Sequence, residues 1–239
     1  MKILIAAVLA ALAVTTTSAS AAVIIGTQIV DTQLRATVNM EPLASDGSDA
    51  GTRAGTINAS AQIVAPGGGV SGIRATSSVL AVLNSAERGR VTFRRSLTPG
   101  DSDAIQSATA NYRYFFTVDS LTAFDVNWGV STFGSAAGGS APGQALSLAV
   151  RGASDTLLRL DSLGDGSSGE TQALLAPGSY ELRIEDTFPL VAAAGMRSGL
   201  SSQYSFAMRA VPEPATWMTL LLGFVTIGAV QRRRVRRLA

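Results

Sequence analysis

Between residues 22 and 210 the chain alternates apolar and polar positions in short runs, and Gly, Pro, Asp and Ser clusters separate the runs. Alternation with a period of two places successive side chains on opposite faces of a strand. Tyr180, Leu182 and Ile184 therefore share one face, and Glu181, Arg183 and Glu185 share the other. Phe124, Val126 and Trp128 form a second apolar face, and Val91 and Phe93 a third, with Arg90, Thr92 and Arg94 turned outward. The runs predict strands over 23–30, 34–40, 56–64, 78–84, 90–97, 111–118, 123–131, 145–151, 156–160, 171–175, 179–185 and 203–209. No long amphipathic helix competes. Residues 46–53 (DGSDAGTR) read as a loop or hairpin connection, and 133–144 as a low-complexity linker. The expected fold class is all-β, a β-sandwich or jelly-roll-like exported body, as one unit or as two divided near residue 110 with a sandwich-like second half over 111–209.

The two ends break this pattern. Residues 1–21 combine Lys2, an apolar stretch from Ile3 to Val14 and the small residues Ala19, Ser20 and Ala21. That is the layout of a signal peptide, with cleavage expected after Ala21. At the other end, Pro212, Glu213, Pro214 and Trp217 precede an apolar run. A helix over 215–230 would be about 24 Å long, short against a hydrocarbon core of about 30 Å. Arg232, Arg233, Arg234, Arg236 and Arg237 follow it. By the positive-inside rule these arginines stay in the cytoplasm and the body lies outside.

Removing the two ends changes the charge. The whole chain carries a formal net charge of +2. Residues 22–209 hold 13 arginines against 16 carboxylates, a net charge of −3, so the basic character belongs to the tail. No nucleic-acid partner is implied. The body has no Lys, and the chain has neither Cys nor His. Serine and cysteine triads are thereby excluded, as are metal sites built on imidazole or thiolate. Carboxylate chemistry alone remains open to an enzyme, and the expectation is that the protein is not one.

The candidate sites within the body are few. Asp161, Asp165 and Glu170 lie in a Gly- and Ser-rich segment where their oxygens could converge on Ca²⁺. Leu163 occupies a place that an EF-hand fills with an oxygen ligand, and a solvated hairpin connection is the expected role. Asp101 with Asp103, and Asp46 with Asp49, read as turns. No cofactor other than Ca²⁺ is suggested. Trp128 is a potential sugar platform, but it shares its face with Phe124 and Val126, so core packing is expected. Tyr112 and Tyr114 remain open between core and surface. Arg88, Arg90, Arg94 and Arg95 form the densest basic patch and read as the solvated surface of an edge strand.

Leu175-Ala176-Pro177-Gly178-Ser179-Tyr180, a type II turn entering an alternating strand, resembles the penultimate strand of bacterial pre-peptidase C-terminal-type and related jelly-roll domains. The tail carries a more specific likeness. Pro212-Glu213-Pro214, Trp217, Leu222-Gly223-Phe224, Gly228 and Arg232-Arg233-Arg234 resemble the PEP-CTERM sorting signal, in its subgroup with Trp three residues after the second Pro. Met218 departs from the Ala usual in that subgroup. The resemblance implies an exported protein of a Gram-negative bacterium. Signal peptidase would cut it first, the inner membrane would hold it transiently, and an exosortase would then process it for the cell surface or the medium. It also implies a place in the extracellular matrix, with exopolysaccharide or biofilm. Residues 210–239 then form the sorting signal, ending in the Arg-rich stretch 231–239. The alternative reading of the body is a carbohydrate- or ligand-binding module, Ca²⁺-dependent or not.

Overall fold

A computed structural model of the chain describes residues 22–38, 41–65, 72–100, 104–134, 144–151, 156–163, 165–187, 189–211, 221–225 and 227. The described body is built from strands: β1 (Val23–Val38), β2 (Glu41–Gly51), β3 (Gly55–Ala65), β4 (Ile73–Ser85), β5 (Arg88–Thr98), β6 (Ala104–Val118), β7 (Thr122–Phe133), β8 (Gln144–Val150), β9 (Thr156–Leu163), β10 (Ser168–Leu175), β11 (Gly178–Asp186), β12 (Leu190–Ala192) and β13 (Ser198–Ala210). They pair into two antiparallel sheets. The first has the order β2-β1-β6-β11-β8-β9, with β12 paired to the start of β6. The second has the order β10-β7-β13-β5-β4-β3.

The period-two pattern decides which side of each strand is dry. Val30 on β1, and Tyr112, Tyr114 and Phe116 on β6, face Val79, Val91, Phe93, Phe124 and Phe206 of the second sheet in one apolar cluster. A second cluster gathers Leu34, Ile63, Ile73, Leu97, Leu190 and Leu200 at the opposite end of the sandwich. The fold is thus a β-sandwich, as the alternation predicts.

Five rings bridge the sheets inside the first cluster. Phe116 stacks on Tyr114 at 5.1 Å between centroids, on Tyr180 at 5.7 Å and on Phe124 at 6.3 Å. Phe206 closes the group against Tyr114 at 5.7 Å and Phe124 at 6.0 Å. Centroid separations of about 4.5–7 Å are those at which aromatic pairs add to simple burial.

Several expectations are corrected. The strands expected at 23–30 and 34–40 are one strand, β1, with a bulge between Ile25 and Gln28. Residues 46–51 are not a loop but the end of β2, paired with β1 from Gly51↔Gln28 to Glu41↔Val38. The polar sequence hid this strand because its ladder bonds, not burial, hold it in place. Its free edge is covered by β3. Asp49 accepts a bond from the backbone N–H of Asn58 at 3.0 Å, and Ser45 Oγ one from Gln62 N–H at 3.3 Å. Gly47 permits this approach, since a Cβ there would run into the Ser60 carbonyl oxygen.

Of the two alternatives, the fold has the undivided one at residue 110. β6 runs unbroken across it, β1 pairs with β6, β5 pairs with β13, and both halves contribute to one core. The more regular alternation after Asn111 suggests a division, but local sequence carries no mark of the long-range pairing that joins the two halves.

Candidate functional site

A belt of polar side chains crosses the sandwich between its two apolar clusters. On the first sheet, ladder pairing aligns Thr32 with Ala110, Ala110 with Asp186, and Asp186 with Gln144. On the second, Ser77 stands opposite Arg95, which stands opposite Leu200, two residues from Ser202. All six polar side chains are buried. Thr32 and Ser77 hydroxyls share a bond of 2.7 Å across the sheets. Gln144 Nε2 donates to Ser202 Oγ at 2.6 Å, and Tyr204 donates its hydroxyl to Gln144 Oε1 at 2.5 Å. Arg95 Nε lies 3.1 Å from Asp186 Oδ2, both side chains being essentially inaccessible, and Arg95 also donates to the Asp186 carbonyl oxygen.

Burial pushes the Arg95 guanidinium below its ordinary range, and the Asp186 carboxylate opposes that shift. A pair sealed at this depth has no route to a substrate, so its role is structural. Arg95 corrects the sequence reading. β5 lies between β13 and β4, not at an edge, and parity turns Arg95 inward with Val91, Phe93 and Leu97. A charged residue reads as surface until a partner is known, and this partner lies 91 residues away.

Burial raises the phenols of Tyr112, Tyr114 and Tyr204 well above the ordinary tyrosine range; Tyr114 adds to the shift at Tyr112, and Asp186 to that at Tyr204. The folded state therefore holds these protons where the unfolded chain loses them. Each such tyrosine lowers stability by about 1.4 kcal/mol per pH unit once pH passes the unfolded value near 10. Unfolding monitored against pH is expected to show a steep loss above about pH 10. Tyrosinate absorbance should rise together with unfolding; ionisation well before unfolding would refute the assignment. Tyr112 and Tyr114, open at the sequence level, are core residues.

The calcium candidates are not brought together. Asp161 pairs with Arg159 at 2.6 Å, Asp165 Oδ1 accepts the backbone N–H of Thr132 at 2.7 Å, and Glu170 lies on β10 opposite Asn127. Asp49 is engaged with β3, and Asp46 is exposed on β2. Among the described residues no group of three or more carboxylates is placed to hold a metal. Asp101 and Asp103 lie outside the described residues. Trp128 packs half-buried against the first apolar cluster, as expected. Gly169 stands opposite it, where a Cβ would come within 2.8 Å of the indole.

The end of the sandwich that holds Ala22 and Val211 has its own construction. The turn after β6 holds both ends of the body. Ala22 N–H donates to Asp119 Oδ1 at 3.0 Å, and Val211 N–H donates to the Leu121 carbonyl at 2.8 Å. Beside it, Val23, Glu87, Arg88 and residues 207–210 line a shallow cleft of about 270 Å³. Glu87 is the one carboxylate in that lining, so the cleft lacks the pair that glycoside hydrolysis uses. Asp119 is a residue that sequence reading missed; a lone acid in a turn carries no signal of its own.

The expected signal peptide with Ala19 and Ala21, the residues Pro212, Glu213, Pro214 and Trp217, and the arginines Arg232, Arg233, Arg234, Arg236 and Arg237 lie outside the described residues. Of the expected helix over 215–230, residues 221–225 and 227 are described and helical, with Leu221, Leu222, Phe224 and Val225 exposed. Among the described residues no helix is long and apolar enough to cross a membrane.

Comparison with known proteins bears on the tail. No curated protein matches the chain. Among solved structures, a carbohydrate-binding module of a Cellvibrio mixtus lichenase, in complex with cellotriose, is 11% identical over 49% of this chain and 79% of that one, with a TM-score of 0.22. A GH31 alpha-xylosidase of Xanthomonas citri is 8% identical over 81% of this chain and 38% of that one, with a TM-score of 0.21. At such scores neither likeness bears on function, and the sandwich rests on its own two sheets. Residues 210–237 match the model of the PEP-CTERM protein-sorting motif. The body is therefore cargo of an export and sorting route, and the chain carries at its C-terminus the PEP-CTERM signal that an exosortase recognises.

Proposed function

We propose that this protein is a non-enzymatic surface or extracellular-matrix protein, processed by exosortase and associated with exopolysaccharide. The sorting motif over residues 210–237 carries the reading. In this account signal peptidase cuts after Ala21, and the inner membrane of a Gram-negative cell holds the tail. Exosortase then acts near Pro212–Pro214, a sequence in which two prolines disfavour helix. The geometry of the body suits this order of events. Ala22, before its first strand, and Val211, after its last, are tied to one turn through Asp119 and Leu121.

Changing Pro212, Glu213 and Pro214 together to Ala tests the reading. Nearly all of the variant is expected to remain full-length in the membrane fraction, while the parent chain appears shortened at the surface or in the medium. Mass spectrometry of intact protein from membrane, surface and medium fractions measures both termini. Unchanged C-terminal processing of the variant would rule the proposal out.

A further inference from the structure

The outer face of β4, β5 and β13 is a cationic strip on an acidic body. These three adjacent strands contain no Asp or Glu. Alternation turns Arg74, Arg88, Arg90 and Arg94 outward, and all four are exposed. None of the four forms an ion pair with another described residue. Arg209, also on β13, is already neutralised by Asp125 at 2.8 Å. The segregation stands out because residues 22–209 as a whole are net −3.

Arg90 and Arg94 have small or polar ladder partners, whereas Arg74 stands opposite the exposed Val64. Ser78 and Ser201 flank Arg94 across the ladder, Val82 and Ser205 flank Arg90, and Gln203 stands opposite Thr92. Leu80, opposite Thr92, is the large apolar side chain exposed beside them, and both guanidinium groups remain exposed. They sit four residues apart on one strand, about 14 Å at ~3.4 Å per residue.

We propose that this face binds a carboxylated polysaccharide laid across β4, β5 and β13. A guanidinium takes a carboxylate through two parallel N–H bonds. Serine, threonine and glutamine both donate and accept, which suits the hydroxyls of a sugar chain. The face is poorly made for nucleic acid. The aromatic residues of these strands, Phe93, Tyr204 and Phe206, all point into the core and leave no platform for bases. A duplex with one charge per roughly 1.7 Å would also meet the net negative body, whereas a polyuronate carries at most one charge per sugar.

The proposal rests on the exported-protein reading only for access to such a polymer; the binding itself does not depend on it. The test is affinity electrophoresis of the full chain in detergent, through gels containing polymannuronate, dextran or duplex DNA. Polymannuronate is expected to retard the protein and dextran to leave it unretarded. Arg90→Gln with Arg94→Gln should weaken the retardation about tenfold, the effect of losing two exposed charge pairs. Arg74→Gln with Arg88→Gln should weaken it in the same direction, and decides the matter if the first pair does not fold. Retardation unchanged in the folded variants would assign binding to the arginine tail and overturn the proposal. So would tighter binding to DNA than to polymannuronate, or none to polymannuronate. A protein that binds in the gel but is never processed in cells would refute the export reading alone.

Discussion

Arg95→Leu is expected to destabilise the protein by about 3–5 kcal/mol, the usual cost of stranding one partner of a buried ion pair. Asp186 would remain at the centre of the sandwich without the cation that faces it at 3.1 Å. Its neighbours there are Gln144 on β8 and Ala110 on β6, neither of which can neutralise a carboxylate. Asp186→Asn should cost a similar amount, by leaving the guanidinium charged and desolvated. Arg95→Leu combined with Asp186→Leu should recover a large part of the loss, because two apolar groups need no counter-charge. Denaturant unfolding of all three variants gives the coupling energy directly. Single variants within about 0.5 kcal/mol of the parent would mean that the pair is not sealed as described.

The second large effect is expected in the ring cluster. Phe116→Ala should cost about 3–5 kcal/mol, through lost transfer free energy and the cavity left behind. Phe116 contacts rings from three strands, Tyr114 on its own strand, Tyr180 on β11 and Phe124 on β7, so its removal opens the cluster from the middle. The neighbours cannot collapse inward without pulling the two sheets together. For a domain of this size the loss corresponds to about 10 °C in Tm. Thermal unfolding followed by near-ultraviolet circular dichroism reads both the stability and the ring environment. A shift of under about 3 °C would show that the cluster repacks freely. Phe133→Ala, at an exposed site on the rim of β7, is the matched control and should be nearly neutral.

Much of the architecture was legible in the sequence because a half-buried strand writes its orientation into every second residue. Phe124 and Val126, Val91 and Phe93, and Tyr180, Leu182 and Ile184 all face inward as their alternation predicts. Where side chains do not report burial, the reading failed. β2 has exposed or half-buried side chains along its described length and is held by its ladder to β1 and by Asp49 and Ser45 reaching β3. Parity alone would have turned Arg95 inward, but its chemistry argued for the surface. The choice between the two depends on Asp186, which comes alongside only when β5 and β11 lie in facing sheets.

The same division runs through function. The sorting tail is a linear signal read by an enzyme from consecutive residues, so Pro212-Glu213-Pro214, the apolar run and the arginines sufficed to name it before any fold was known. The absence of His and Cys likewise bounded the chemistry by composition alone. The polar belt, the shared anchoring of Ala22 and Val211 at one turn and the carboxylate-free cationic face were decided only by tertiary structure. Their members are separated by tens of residues, 45 between Thr32 and Ser77 and 97 between Ala22 and Asp119. Such groups acquire a common environment only when long-range strand pairing sets their register, and no local pattern encodes that register.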